Sequence, residues 1–328
     1  MIMGCKFSRR AYTLVDCLAV LAVLAAGAAL LLPAIARSSA AARKEGCHEN
    51  LRVLGKAFQE FEQARGGFPP RRTGLGGSQP YGGWGSQLLP NLDEKLHANY
   101  HYDRDFYDPL NKEVSGTRVP AFLCASAPPE RFTLIQANAS GNSANPDKDT
   151  LFETRCAPND YLASNGLFIP RGGYGLSWPR AIGGGNQHQA MTDSENLPTS
   201  RITDGLSNTY LIIERAGGPQ KWRMGKKEDD RDLFAGQNIS RGTWAGFGSL
   251  NYGVFDPKTG EQEGARGDDT DCVVNCNNTF GIYSFHEGGA NVLLCDGSVR
   301  FVGKSLDGLT HLRLTTRDDG QLILNADW

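Results

Sequence analysis

The run AYTLVDCLAVLAVLAAGAALLLPAIA, residues 11–36, decides how the rest of the chain is read. It is about 26 residues long with one charge, Asp16, and a bilayer core needs about 20 apolar residues, so it is long enough to span a membrane. A cleaved secretory signal would carry a shorter apolar core, of about 7–15 residues. A lipoprotein anchor at Cys5 would need that cysteine to follow the apolar run, and it precedes it. Lys6, Arg9 and Arg10 stand before the run with no acid among them, which favours a cytoplasmic N-terminus, while Arg37, Arg43 and Lys44 beyond it act against that bias. Asp16 sits near the start of the span, where an ionised group is costly and marks function.

Helical signals continue past the run. Cys47, Leu51, Leu54, Phe58 and Phe61 recur at spacings of 4, 3, 4 and 3, one apolar stripe of an amphipathic helix. Gly66-Gly67 offers a C-cap and Pro69-Pro70 stops continuation. The spacing predicts a helix over 12–65, kinked or loosened at Pro33. Its first half, 12–36, is apolar all round and belongs in lipid or a filament core. Its second half, 37–65, has one apolar face and packs on a folded head.

The head, 66–328, reads as turns and short strands. The whole chain has 328 residues, 34 Lys+Arg against 36 Asp+Glu and 40 Gly. The near-neutral charge gives no reason to expect nucleic acid, whose phosphates must be neutralised. A mean hydropathy of −0.39 excludes a polytopic membrane protein. Gly is about 12% of the chain, above the usual ~7%, and points to a turn-rich β architecture. Strands are expected at 120–124, 209–213 and 242–244. The segment 280–302, FGIYSFHEGGANVLLCDGSVRFV, parses as strands 280–286, 290–295 and 298–302, a three-stranded antiparallel meander with Asp296-Gly297 in a tight turn. Polar stretches at 138–150, 183–199 and 225–232 read as loops. The fold class is α+β: a long N-terminal helix packed on a mainly antiparallel β head.

Arg9-Arg10-Ala11-Tyr12-Thr13-Leu14-Val15-Asp16 resembles the processing site of type IV prepilins and type II secretion pseudopilins. That resemblance implies a leader over 1–11, cleavage between Ala11 and Tyr12 by a prepilin peptidase, and a methylated Tyr12 terminus. It makes Asp16 the fifth-position acid used in subunit assembly. The family usually has Gly where Ala11 stands and Glu where Asp16 stands. His286, nine residues, then Asp296-Gly297 resembles the H-x9-DG domain that accompanies such leaders in a large, poorly characterised bacterial family. Further fragments match it: Cys47-His48-Glu49-Asn50-Leu51, Phe68-Pro69-Pro70, Phe122-Leu123-Cys124, Ile202-Thr203-Asp204-Gly205-Leu206-Ser207-Asn208-Thr209 and Leu314-Thr315-Thr316-Arg317-Asp318-Asp319-Gly320. Ala125-Ser126 replaces the family's usual Pro-Ser.

His286 and Asp296 do not read as a catalytic pair. An extended 290–295 holds its ends about 20 Å apart at ~3.3 Å per residue, beyond hydrogen-bond reach. His286 reads as a strand end, Asp296 and Gly297 as a turn, and Asp204, Gly205, Ser207 and Asn208 as residues that cap their own backbone. No nucleophile elbow, P-loop or dinucleotide fingerprint is present. The expectation is therefore a non-enzyme with no cofactor or metal.

Six cysteines lie outside leader and span: Cys47, Cys124, Cys156, Cys272, Cys276 and Cys295. In an exported head they favour disulfides, in any of fifteen pairings. The resemblance implies Cys47 with Cys124, which stand at the family's two cysteine positions. Rival readings are a zinc site of Cys272, Cys276, His286 and Cys295, a small Cys272–Cys276 ring, and calcium at Asp268, Asp269 and Asp271. The expected protein is a pilin-like structural protein in the inner membrane, N-terminus cytoplasmic and head periplasmic or at the surface. Its expected partners are itself or other pilin-like subunits. The alternative is a non-assembling, anchored solute- or carbohydrate-binding module using Trp84, Trp178, Trp222 and Trp244.

Overall fold

A computed structural model describes residues 14–74, 79–168, 188–193, 195–228, 242–323 and 328. The expected processing site, Ala11 and Tyr12, and also Trp178 lie outside these residues. The chain divides into two compact units, Met1–Arg43 and Lys44–Trp328.

In the first unit the described residues begin helix α1 (Leu14–Arg65), 52 residues long with Pro33 inside it. Leu and Ala, both strong helix formers, dominate here. Ten large apolar side chains from Leu14 to Ile35 are each more than half exposed. An 18-residue window has mean hydropathy 2.6 with none of it buried, so the helix is long and apolar enough to cross a membrane.

In the second unit the expected stripe is found. Cys47, Leu51, Leu54 and Phe58 are fully buried and Phe61 nearly so. The helix ends at Arg65, and Gly66, at φ +77°, turns the chain while its N–H donates to the Glu62 carbonyl.

Strands β1 (Thr133–Ala137) and β2 (Phe152–Cys156) form a separate antiparallel hairpin. The main sheet contains β3 (Tyr161–Phe168), β4 (Tyr210–Glu214), β5 (Ser249–Gly253), β6 (Gly289–Leu294) and β7 (Val299–Gly303). Its order is β7-β6-β4-β3-β5, antiparallel except for the parallel β3·β5 pair. Central strand β6 is buried throughout, and its alternation divides two cores. Leu293 faces the cluster holding Leu51, Leu54 and Phe58. Ala290, Val292 and Leu294 face a second cluster with Leu312 and Leu314 of helix α2 (Gly308–Thr315).

Several expectations are corrected. The 280–302 segment is a hairpin rather than a three-stranded meander: β6 and β7 pair from Gly289↔Gly303 to Leu293↔Val299, whereas 280–286 makes only single bridges among the described residues. Strand β4 occupies the place beside β6. Side chains satisfy the backbone that a third strand would have paired: Asn275 accepts from the Ser284 N–H, and the Ser284 hydroxyl donates to the Gly289 carbonyl. The 120–124 segment opens with a 3-10 turn, Pro120–Phe122, and 242–244 makes one bridge, Thr243 with Pro158. Trp84–Gln87, Leu89–Leu92, Glu94–Asn99 and Lys112–Gly116 are helical, too short to print a 3.6-residue period. Trp84 and Trp244 are fully buried, with Trp84 5.3 Å from Phe58 and Trp244 stacked 5.7 Å from Phe122, so neither serves a carbohydrate surface.

Candidate functional site

Four distant parts of the Lys44–Trp328 unit converge on one point. The α1 stripe supplies Cys47. Cys124 follows the 3-10 turn, Glu214 ends β4, and His286 precedes the turn into β6. One ligand atom from each lies within 4.8 Å of all the others, and all four residues are buried.

Each is held from behind. The Cys124 N–H donates 2.9 Å to Asp160 Oδ2, and Asp160 is gripped by both terminal nitrogens of Arg131 at 2.7 Å. The Gly217 N–H, just past β4, donates to the same carboxylate at 2.9 Å. Glu214 Oε2 accepts from the backbone N–H and the side-chain amide of Asn291 on β6, at 2.9 and 3.1 Å. The His286 N–H donates to Ser284 Oγ, and its ring Nδ1 lies 3.4 Å from Ser126 Oγ.

The atoms turned inward are Cys47 Sγ, Cys124 Sγ, His286 Nε2 and Glu214 Oε1. The two sulfurs are 2.7 Å apart, beyond the ~2.05 Å of a disulfide, and both thiols are free. His286 Nε2 lies 3.6 Å from Cys124 Sγ and 3.2 Å from Glu214 Oε1. Glu214 Oε1 is buried and has the His286 ring as its partner.

The electrostatics separate the two thiols. The hydrogen bond from Cys124, helped by His286, draws the Cys47 thiol down to about 6 against the opposing effect of burial. That same bond, with burial, pushes Cys124 up. Burial acts to lower the His286 imidazole, but Cys47 and Glu214 outweigh it and raise it to about 9. The cluster therefore draws together two sulfurs, an imidazole nitrogen and a side-chain oxygen of Glu214 out of water, and once the ring gives up its proton these are donors suited to a borderline-soft divalent metal.

The other expected site residues serve the backbone. The Asp204 carboxylate accepts from the Asp319 and Gly320 N–H groups, at 2.7 and 2.9 Å, tying two of the family-like fragments together. Gly205 has φ +103°, Asn208 donates to the Asp204 carbonyl, and Ser207 is exposed. Asp296 accepts from Ser298 in the β6–β7 turn, where Gly297 has φ +86° and Gln59 of α1 donates to the Asp296 carbonyl. Asp16 is exposed on α1. Asp268 and Asp271 accept from backbone N–H groups of their own loop.

The zinc grouping of Cys272, Cys276, His286 and Cys295 is overturned. Cys272 and Cys276 are joined in a disulfide, Cys295 is buried in the α1-facing core, and His286 meets Cys47 and Cys124 instead. Sequence reasoning missed Glu214 altogether. Its signal is an acid ending the otherwise apolar run Tyr210-Leu211-Ile212-Ile213-Glu214. A separate cleft of about 550 Å³, lined by residues including Arg65, Tyr81, His97, Tyr100 and Tyr102, shares no residue with the cluster.

No curated protein and no solved structure matches the chain. A family model does match it over residues 37–309, a span that contains all four cluster residues, and on that match the chain belongs to the family described as protein of unknown function (DUF1559), SBP_bac_10.

Proposed function

We propose that the chain is a pilin-like, non-enzymatic structural protein. It is anchored as a single pass in the inner membrane, self-associates through the first part of α1 and displays its head outside. The observation that carries this reading is the apolar surface of α1. Ten large apolar side chains between Leu14 and Ile35 stand exposed. Covering them is worth on the order of 10–20 kcal/mol at roughly 1.5–3 kcal/mol for each full burial, scaled down for partial exposure. Lipid and neighbouring helices both supply that cover. The leader resemblance adds the processing step, and Asp16 would face the Tyr12 amine of an adjoining copy, where each charge offsets the other's desolvation. Burial of all four cluster residues leaves that centre poorly placed for substrate and supports a non-enzymatic reading.

The test is the mass and N-terminal sequence of the mature chain, with bis-maleimide cross-linking in membranes through native Cys17, which is free and exposed. A methylated Tyr12 and cross-linked oligomers that fall several-fold in Asp16→Val are expected. An intact Met1, a start beyond Ala36, or unchanged oligomers in the variant would overturn the reading. The aromatic-lined cleft favours the second reading, an anchored solute- or carbohydrate-binding module. Calorimetric saccharide binding that is indifferent to Asp16, from a chain that never cross-links, would establish that reading instead.

A further inference from the structure

We propose that Cys47, Cys124, His286 and Glu214 bind one zinc ion tetrahedrally, fastening helix α1 to the sheet of the head. Four donors brought from α1, the Cys124 loop, the end of β4 and the β6 turn lie mutually within 4.8 Å. Tetrahedral ligands about 2.0–2.3 Å from a common ion stand roughly 3.3–3.8 Å apart, which His286 Nε2 matches against Glu214 at 3.2 Å and Cys124 at 3.6 Å, while the sulfurs, at 2.7 Å, would part by about 1 Å on binding.

The orientation of the outer atoms singles out the inner ones. Asn291 occupies Glu214 Oε2 with two hydrogen bonds and leaves Oε1 buried and turned to the cluster, 3.2 Å from His286 Nε2. Ser126 approaches Nδ1 of His286 and leaves Nε2 facing the sulfurs. Ligands so oriented by outer partners are the usual build of a metal site. A Cys47–Cys124 disulfide would account for the sulfurs alone and would leave His286 and Glu214 facing only each other. Zinc engages all four atoms, and two thiolates with imidazole and carboxylate suit it better than magnesium or calcium, which take oxygen. Binding ligates neutral imidazole and two thiolates, so the protons on Cys124 and His286 pass to water.

The full chain, purified in detergent without chelator, is incubated with Zn²⁺ and desalted, and its metal is counted by plasma mass spectrometry. Cysteines are alkylated after unfolding in chelator without reductant and mapped by peptide mass. The expected result is about one zinc per chain, with Cys47 and Cys124 both alkylated and Cys272–Cys276 still linked. Co²⁺ in place of zinc should give a thiolate-to-metal charge-transfer band. Glu214→Gln keeps the shape and one acceptor for Asn291. It should weaken zinc at least tenfold in chelator competition while its circular dichroism stays that of the parent. Zinc below a tenth of an equivalent, or a Cys47–Cys124 peptide linked by a disulfide in the parent chain, would overturn the proposal. So would a Glu214→Gln chain that retains full affinity.

Discussion

Asp160→Asn removes one charge from the buried node behind Cys124 while keeping its shape. Asp160 is fully buried and Arg131 is 1% exposed at the side chain, so neither has water to fall back on. The carboxylate accepts four hydrogen bonds: two from Arg131, one from the Cys124 N–H and one from the Gly217 N–H. An Asn has a single acceptor oxygen and an NH2 that would face a guanidinium or an N–H. Arg131 keeps the Pro128 and Gly218 carbonyls and one bond to the amide oxygen, and loses its opposite charge. Breaking a buried pair from one side costs about 3–5 kcal/mol, because it strands the other charge. For a urea m-value of about 3 kcal/mol/M, at the top of the small-protein range, that lowers the midpoint by about 1 M or more. Tryptophan fluorescence of the full chain in detergent reports the transition, since Trp84 and Trp244 lie in the core of this unit. Arg131→Met alone should also destabilise, and the double variant should cost at least ~1 kcal/mol less than the sum of the singles, as contacting partners do. An Asp160→Asn midpoint within ~0.5 kcal/mol of the parent, or strict additivity, would refute the node.

Two further outcomes follow from the second core and the β6–β7 turn. His311 is fully buried, stacked 6.0 Å from Tyr252 and near Tyr210, with both ring nitrogens unbonded, and burial lowers it to about 4 despite Asp307. The unfolded chain, with an ordinary pKa of ~6.5, takes the proton first, so stability is complete above ~6.5 and falls as pH drops toward 4, by about 2 kcal/mol between pH 8 and 5. His311→Phe should flatten that part of the denaturation profile, and an unchanged slope would contradict it. Gly297→Ala should cost about 1–2 kcal/mol for its left-handed backbone, plus part of the Gln59 bond. Gly288→Ala, also at φ +86° but with open space around it, should cost the backbone part alone by the same melt.

What could be read from the sequence follows its periodicities. The 4-3-4-3 stripe is a repeat of one local geometry, so Cys47 to Phe61 could be placed on the core side of a helix from spacing alone. Asp-Gly between apolar runs fixed the β6–β7 hairpin, because only a tight turn with a positive-φ residue joins them. The partner on the other side of β6 was not legible, since β4 and 280–286 are both apolar and nothing local says which pairs. Side-chain hydrogen bonds from Asn275 and Ser284 decide it. The same limit hid the cluster. Its members lie 77, 90 and 72 residues apart in successive steps along the chain, and sequence gives no distance across such gaps. Asp296 is the neighbour of His286 in sequence, whereas the partners of His286 in space come through β4, α1 and the Cys124 loop.

The position of Cys47 gives the cluster its mechanical sense. The second unit begins at Lys44, and Cys47 is the first member of the buried stripe that runs on through Leu51, Leu54, Phe58 and Phe61. A load applied through the residues before Lys44 would have to open contacts in that order, and apolar contacts peel one at a time, each worth roughly 1.5–3 kcal/mol. A bonded point at the first of them changes the order. The helix could not begin to leave the head until a metal–thiolate bond opened, and the remaining stripe would then bear the load together. Placed at Phe61, the same bond would protect only the last contact. A chain anchored through α1 gains most from a fastening where the stripe begins, and Cys47 stands there.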